Sequence, residues 1–213
     1  TMQAFGASIA WMRENLCSRE EQLARQTGKG VFSCLEERAA ASPPGARGLL
    51  FLPFLQGERT PYFDAQAKGC FLGMTMQHTD SDLKRAVLEG AVLHLAMMMQ
   101  DLSALSGKSA PKTASVAGGA AQSDLVCQMM ADAMDCKMLR LSVGAEVGTL
   151  GAAVCGGVGV GLFGDFSMAN RFLSVQKEFL PIPEHTALYR EKLKSYRKCY
   201  PALKEVFSKI VSL

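Results

Sequence analysis

Two kinds of pattern are missing from this sequence: disulfide frameworks and metal-ligand spacings. No Cys-x-x-Cys occurs, and the seven cysteines (17, 34, 70, 127, 136, 155 and 199) are odd in number and sit mostly among apolar neighbours. The three histidines, His78, His94 and His185, show no ligand spacing with them, so no metal site is expected. Reduced, buried thiols in a cytoplasmic protein fit this usage. Charge of one sign is also lacking, the net charge being +3. Seven Lys/Arg against two Glu from Thr186 to Leu213 give that segment +5, so the remainder carries −2. Basic character confined to one helical segment reads as a solvated face, which argues against a nucleic-acid partner. A leader pattern is absent too: the start carries Arg13 and Glu14 and no long apolar core. The run from Val147 to Gly164 has no charge, but its glycines (148, 151, 156, 157, 159, 161 and 164) make a poor membrane span. A small-residue helix packed inside an α/β domain is expected there. No internal repeat or low-complexity tract is visible.

What is present is the periodicity of a globular chain, 48% hydrophobic and 20% charged. Phe5, Ile9, Met12 and Leu16 fall at helical spacing. Ser18 with Glu21 reads as a capping box for a second helix, and Gly28-Lys29-Gly30 ends it. Val31 to Ala41 is a third helix with Leu35 and Ala39 on one face, and Ser42-Pro43-Pro44-Gly45 is a turn. Gly48 to Leu55 reads as a strand buried on both faces. The charged loop Gly57-Glu58-Arg59-Thr60-Pro61-Tyr62-Phe63-Asp64 follows. It reads equally as a functional loop and as one fixed by a Glu58–Arg59 or Arg59–Asp64 ion pair. Gly69 to Met74 is a short strand. Thr79 caps a helix running to about Leu105, with Asp82 in its first turn and a buried stripe of Leu83, Val87, Gly90, Met97 and Leu102. Gly90 marks a close helix contact, and Met97 to Met99 read as core filling.

Thr113 to Val116 reads as a strand entering Gly118-Gly119, after which Leu125, Met129, Met130 and Ala133 recur at helical spacing. Ser123 is the natural N-cap and Asp124 sits in the first turn. Glycines there allow close backbone approach to a ligand, and N–H groups of the following helix would face it. A plain strand-to-helix turn explains the same residues, and on this stretch alone it is the better reading. Lys137 to Leu141 is a further strand, and Gly144-Ala145-Glu146 leads into a helix from Val147 to Gly161. Gly159-Val160-Gly161-Leu162-Phe163-Gly164 matches G-x-G-x-x-G but ends a helix, where a dinucleotide fingerprint needs a strand before it. Tyr189, Leu193, Tyr196, Tyr200, Leu203, Phe207 and Ile210 form an apolar seam interrupted by Pro201, so two C-terminal helices are expected. Alternating strands and helices in the second half favour an α/β class.

Leu52-Pro53-Phe54-Leu55-Gln56-Gly57-Glu58-Arg59-Thr60-Pro61, then Gly69-x-Phe71-Leu72-Gly73-Met74, then Asp82-Leu83-x-x-Ala86-Val87-Leu88-Glu89-Gly90 together resemble the second signature of the FGGY carbohydrate kinases. The Gly-Glu-Arg-Thr-Pro form with His78-Thr79 after it is most similar to the xylulokinase branch. Gly118-Gly119-Ala120-Ala121-Gln122-Ser123 falls where that family has its adenosine-binding loop, with Ala117 in place of the first glycine. The resemblance runs from about Gly6 onward. It implies an actin-like (ribonuclease H-like) α/β domain with a mixed sheet flanked by helices. Residues 1–47 would be a helical lead-in, 48–164 the nucleotide-side core and 165–213 the C-terminal helices. It implies ATP and Mg²⁺ as cofactors, with Gly118, Gly119, Ala120, Gln122 and Ser123 contacting the nucleotide. It implies γ-phosphoryl transfer to a sugar hydroxyl, xylulose or a related ketose. The family's Gly-Asp-Gln base setting and Gly-Thr-Ser phosphate loop do not occur, and Gly164-Asp165-Phe166 is only a look-alike. No catalytic residue is therefore assigned. The chain is expected to be the C-terminal, nucleotide-side half of a kinase, partnered by an N-terminal sugar-binding domain and inactive alone. Homodimerisation is left open, as is a non-catalytic nucleotide-binding or regulatory module reusing the domain.

Overall fold

The computed structural model describes residues 2–210. Its elements begin with α1 (Phe5–Leu16), α2 (Ser18–Thr27), α3 (Val31–Ala40), β1 (Leu50–Leu52), β2 (Cys70–Leu72) and α4 (Asp80–Ser106). They continue with β3 (Thr113–Val116), α5 (Asp124–Met134), β4 (Lys137–Leu141), α6 (Val147–Gly159), β5 (Val175–Phe179) and α7 (Pro183–Lys209). The chain forms two compact units. The first holds the described residues up to Ala110 and those from Ile182 on; the second is Pro111–Pro181.

The first unit is built on α4. Thr79 and Asp82 make the expected capping box, the Asp82 carboxylate accepting from the Thr79 N–H at 2.8 Å. Gly107, with φ of +65°, ends the helix. The helix is buried on more sides than one stripe accounts for, because α1, α3, α7 and β1 all pack on it. Ala86 to Leu93 are buried without a break. The expected stripe is wrong at its end, where Leu102 is exposed, and Leu83 is only half-buried. Gly90 does mark a close approach: a Cβ there would lie 2.2 Å from the Phe51 carbonyl oxygen on β1. Four charged side chains of α4, Asp82, Lys84, Arg85 and Glu89, are buried and partnered, as they must be to be tolerated. Lys84 lies 3.1 Å from Glu20 and also bonds Asp80. Glu89 accepts from Arg85 at 2.7 Å, Lys192 at 2.6 Å, the Tyr189 hydroxyl at 2.9 Å and the Gly45 N–H at 2.8 Å. That carboxylate ties α7 and the Pro43-Pro44-Gly45 turn to α4.

Three expectations for this unit are corrected. The Ser18–Glu21 box is not made: α2 begins at Ser18 itself, after Cys17, with no side-chain cap. The strand expected from Gly48 to Leu55 is only Leu50–Leu52, paired antiparallel with β2 through Phe51 and Phe71, although Leu49, Pro53 and Phe54 are also buried. The C-terminal segment is one helix, α7, with Pro201 inside it. Its seam is correct at Tyr189, Leu193, Tyr196, Tyr200 and Phe207, all buried. Pro201 lies on the exposed face, so the carbonyl four residues back, which loses its partner, is on the side where water can bond it.

The second unit has a three-stranded mixed sheet, β3-β4-β5. β3 and β4 run parallel with Val116 opposite Arg140, and β5 is antiparallel to β4 with Glu178 opposite Leu139. Val126, Cys127, Met129, Met130 and Ala133 of α5 are buried. α6 forms where expected but is not packed inside. Of its residues only Val154 and Gly157 are buried. Gly157 is needed there, since a Cβ would meet the Phe163 ring at 2.4 Å. The small side chains that suggested tight packing on all sides instead leave an exposed helix within this unit. All seven cysteines are free, and Cys17, Cys34, Cys127 and Cys136 are buried, as expected of thiols. Among the described residues no helix is long and apolar enough to cross a membrane.

Candidate functional site

The glycine stretch sits at the carboxyl end of a parallel strand. β3 ends at Val116; Ala117 and Gly118 lead into a 3₁₀ turn over Gly119–Gln122, and Ser123 opens α5. Gly118 has φ +98° and ψ −176°, a region open to glycine alone among ordinary residues. Gly119 has no such constraint. A Cβ at either position would meet no atom of the chain within 4 Å. The packing of the chain does not require Gly119 to lack a side chain, and the surface over it is free for something else to approach.

The turn is held from both sides. Ala121 is buried beneath it, while Gly119 and Gln122 are exposed and Gly118, Ala120 and Ser123 are half-buried. The Ala121 N–H donates to the Gly118 carbonyl at 3.2 Å and the Ser123 N–H to the Ala120 carbonyl at 3.3 Å. Ser123 is the N-cap as expected, its Oγ accepting from the Val126 N–H at 3.0 Å. A hydroxyl that accepts in this way still has its proton to donate. The first N–H groups of α5 point out of the helix end without helical acceptors.

A second turn joins the first, and the sequence analysis gave it no role beyond leading into α6. β4 runs parallel to β3 and ends in its own 3₁₀ turn, Gly144–Glu146, before α6. The Gly118 N–H donates to the Gly144 carbonyl at 2.8 Å, which fastens one turn to the other. Gln122 lies across Gly144, whose added Cβ would come within 3.0 Å of the Gln122 Nε2. Gly148 and Gly151, in the first turns of α6, are as open as Gly119. The signal for this was a glycine after each of two strands. It needed the parallel pairing of those strands, which is not written in either one. Two glycine turns side by side at the carboxyl ends of adjacent parallel strands are the usual place for a ligand in an α/β sheet.

A nucleotide suits this surface: exposed backbone, no obstructing Cβ, a hydroxyl donor and a helix N-terminus favourable to negative charge. Among the described residues no three His, Cys, Asp or Glu side chains come together to hold a metal ion by themselves. Asp124 in the first turn of α5 is engaged by Lys177 and Arg140, whose hydrogen bonds hold its carboxyl below the usual range. Asp165 of the look-alike tripeptide is a turn cap, its Oδ1 accepting from the Ser167 N–H at 2.7 Å.

The charged loop Gly57 to Asp64 is fixed, but by neither expected ion pair. Glu58 and Asp64 exchange backbone hydrogen bonds at 2.9 Å each way. The buried Glu58 carboxylate accepts from the N–H groups of Arg59 at 2.7 Å and Gln3 at 3.1 Å, and the Arg59 side chain is exposed. The Tyr200 hydroxyl holds Asp64 at 2.8 Å, and the His94 Nε2 bonds the Thr60 carbonyl at 3.0 Å. Hydrogen bonds from α4 and α7 thus do what the ion pairs were expected to do.

Comparison with known proteins bears on both motifs. Residues 1–160 match the family described as the FGGY family of carbohydrate kinases, C-terminal domain. The chain is 32% identical, over 98% of its length, to a xylulose kinase of Lactococcus lactis, and covers 40% of that protein. It is 30% identical over 97% of its length to a gluconokinase of Bacillus licheniformis, again covering 40%. It superposes on a ligand-bound xylulose kinase from Lactobacillus acidophilus with a TM-score of 0.80 at 28% identity, covering 97% of this chain and 39% of that one. The chain therefore spans about 40% of the length of these curated relatives. The mixed α/β, actin-like fold expected from the resemblance is the fold observed.

Proposed function

Since the chain belongs to the FGGY family of carbohydrate kinases, we propose that it is the ATP-binding portion of an enzyme that phosphorylates a sugar hydroxyl. Xylulose or a related ketose is the substrate favoured by the Gly57-Glu58-Arg59-Thr60-Pro61 form, and the relatives in hand include both xylulose and gluconate kinases. The reaction moves the γ-phosphoryl group of ATP to the hydroxyl oxygen, releases ADP and passes the hydroxyl proton to a base. Within the described residues the glycine turn offers no free carboxylate for that role. The base, the sugar pocket and any Mg²⁺ ligands are assigned to the part of the relatives this chain does not span.

This chain's own contribution is to seat the nucleotide. Gly118 and Gly119 present bare backbone to the adenosine and its phosphates, with Ala120 and Gln122 continuing that surface. Ser123 offers its hydroxyl proton to the base or ribose while its oxygen caps α5. The observation that carries the reading is the open surface over Gly119, bounded by two turns fastened at Gly118 and Gly144. In isolation the binding is expected to be weak and turnover absent, because closure of a second domain normally completes such a site.

Calorimetric titration with ADP, comparing the parent with Gly119→Arg, tests this. Circular dichroism first establishes that both are folded. Binding by the parent that the arginine abolishes is the expected result. Equal binding by both would place the nucleotide elsewhere and refute the assignment.

A further inference from the structure

We infer that Asp124, Arg140 and Lys177 form a charge clamp that positions the glycine turn, and so sets nucleotide affinity at the proposed site, on which this inference rests. Asp124 lies in the first turn of α5, immediately after the cap. Its Oδ1 accepts from the Arg140 Nη2 on β4 and its Oδ2 from the Lys177 Nζ on β5, each at 2.5 Å. One carboxylate thus fastens the end of α5 that carries the glycine turn to two neighbouring strands. A favourable helix dipole alone would explain an acid here, but it requires no cations.

Arg140 carries the connection on into the turn. Its guanidinium lies over the Phe179 ring at 5.1 Å, and its Nη2 reaches the Cys127 Sγ at 3.7 Å. The Cys127 thiol in turn donates to the carbonyl of Ala121, inside the 3₁₀ turn, at 3.3 Å. The Arg140 side chain is only 9% exposed and its buried Nε has no acceptor, so removal of Asp124 leaves a largely buried cation without its carboxylate. Lys177 is half exposed and contributes less. A role confined to fold stability would leave the turn and its affinity unchanged once the protein is folded.

The test uses the full 213-residue chain, titrated with ADP as parent, Asp124→Asn and Asp124→Glu, with amide chemical shifts of Gly118, Gly119 and Ser123 recorded without ligand. Asp124→Asn is expected to weaken ADP binding about fivefold or more and to move those three resonances; Asp124→Glu restores most of the affinity. A folded Asp124→Asn with parental affinity and parental shifts overturns the clamp while leaving the glycine site standing. No ADP binding by the parent overturns the site, and the clamp's part in it as well. Should Asp124→Asn fail to fold, Lys177→Met carries the test, because it leaves Arg140 paired. A loss of about twofold supports the clamp, and parental affinity overturns it.

Discussion

Replacing Gly90 with alanine sets two physical effects against each other with opposite signs. In the interior of a 27-residue helix, alanine is better than glycine by about 1 kcal/mol. Helix propensity alone therefore predicts a more stable protein. The structure predicts the reverse. The new Cβ would lie 2.2 Å from the Phe51 carbonyl oxygen, 3.0 Å from its carbonyl carbon and 3.1 Å from its Cβ. An ordinary carbon–oxygen contact is more than 3 Å, so α4 and β1 must part by roughly 1 Å. Both sides of the contact are backbone, and β1 is held by its pairing with β2, so no side-chain rotation relieves it. Overpacking of this kind costs about 1–3 kcal/mol, and a rigid contact belongs at the top of that range. The net expectation is a loss of about 2 kcal/mol. With a urea slope of about 2 kcal/mol per molar, the midpoint should fall by about 1 M. Trp11, the single tryptophan, stacks on Phe51 with ring centroids 6.3 Å apart and reports unfolding at that contact. A midpoint that stays put or rises in Gly90→Ala, followed by Trp11 fluorescence, would refute the close approach.

Adjacent glycines in the proposed site should behave differently. Gly118→Ala should destabilise the fold by about 1–3 kcal/mol through its φ of +98°, while Gly119→Ala should change stability by less than about 0.5 kcal/mol and weaken ADP binding. Thermal melts beside ADP titrations check this, and equal melting temperatures would contradict the turn geometry. His94 is buried between the Thr60 carbonyl and the Tyr196 hydroxyl, and desolvation pulls its pKa down to about 4. The carbonyl can only accept, so Nε2 carries the proton and Nδ1 accepts from Tyr196. The unfolded chain takes up a proton near pH 6.5 and the folded chain does not. Stability is therefore complete above 6.5 and falls as pH drops toward 4, by about 3 kcal/mol. Burial of Glu58, which raises its pKa, acts with the opposite sign in the lower part of that window and trims the loss. An NMR titration of the His94 ring that shows protonation near pH 6.5 would refute its burial. Pro201→Ala should restore a backbone hydrogen bond within α7 and stabilise the protein by about 1–2 kcal/mol, read as a higher urea midpoint. A lower midpoint would mean that the proline fits a distortion the helix requires.

Local signals in the sequence determined the elements that depend on near neighbours. Thr79 with Asp82, Gly28, and Ser123 with Asp124 each act within a turn or two of their own position, and each boundary they mark is found. The glycine turn was legible for the same reason, and so was the family resemblance, because both reside in contiguous residues. Where a second, distant partner decides the outcome, the sequence was silent or misleading. Ser18 and Glu21 have the spacing of a capping box, yet Cys17 is the residue before the helix. Pro201 carries a strong local signal to break α7, but Tyr196, Tyr200 and Phe207 bury themselves on either side of it and hold one helix through. The charged loop is secured by Tyr200 and His94, which lie 136 and 34 residues from the groups they bond. The pairing of β3 with β4 brings Gly144 to Gly118, and no periodicity within either strand specifies that neighbour. The sequence alone determined where this chain can turn and which family it resembles. Tertiary structure decided which turns stand together and which charges hold them, because those depend on contacts whose partners are far apart along the chain.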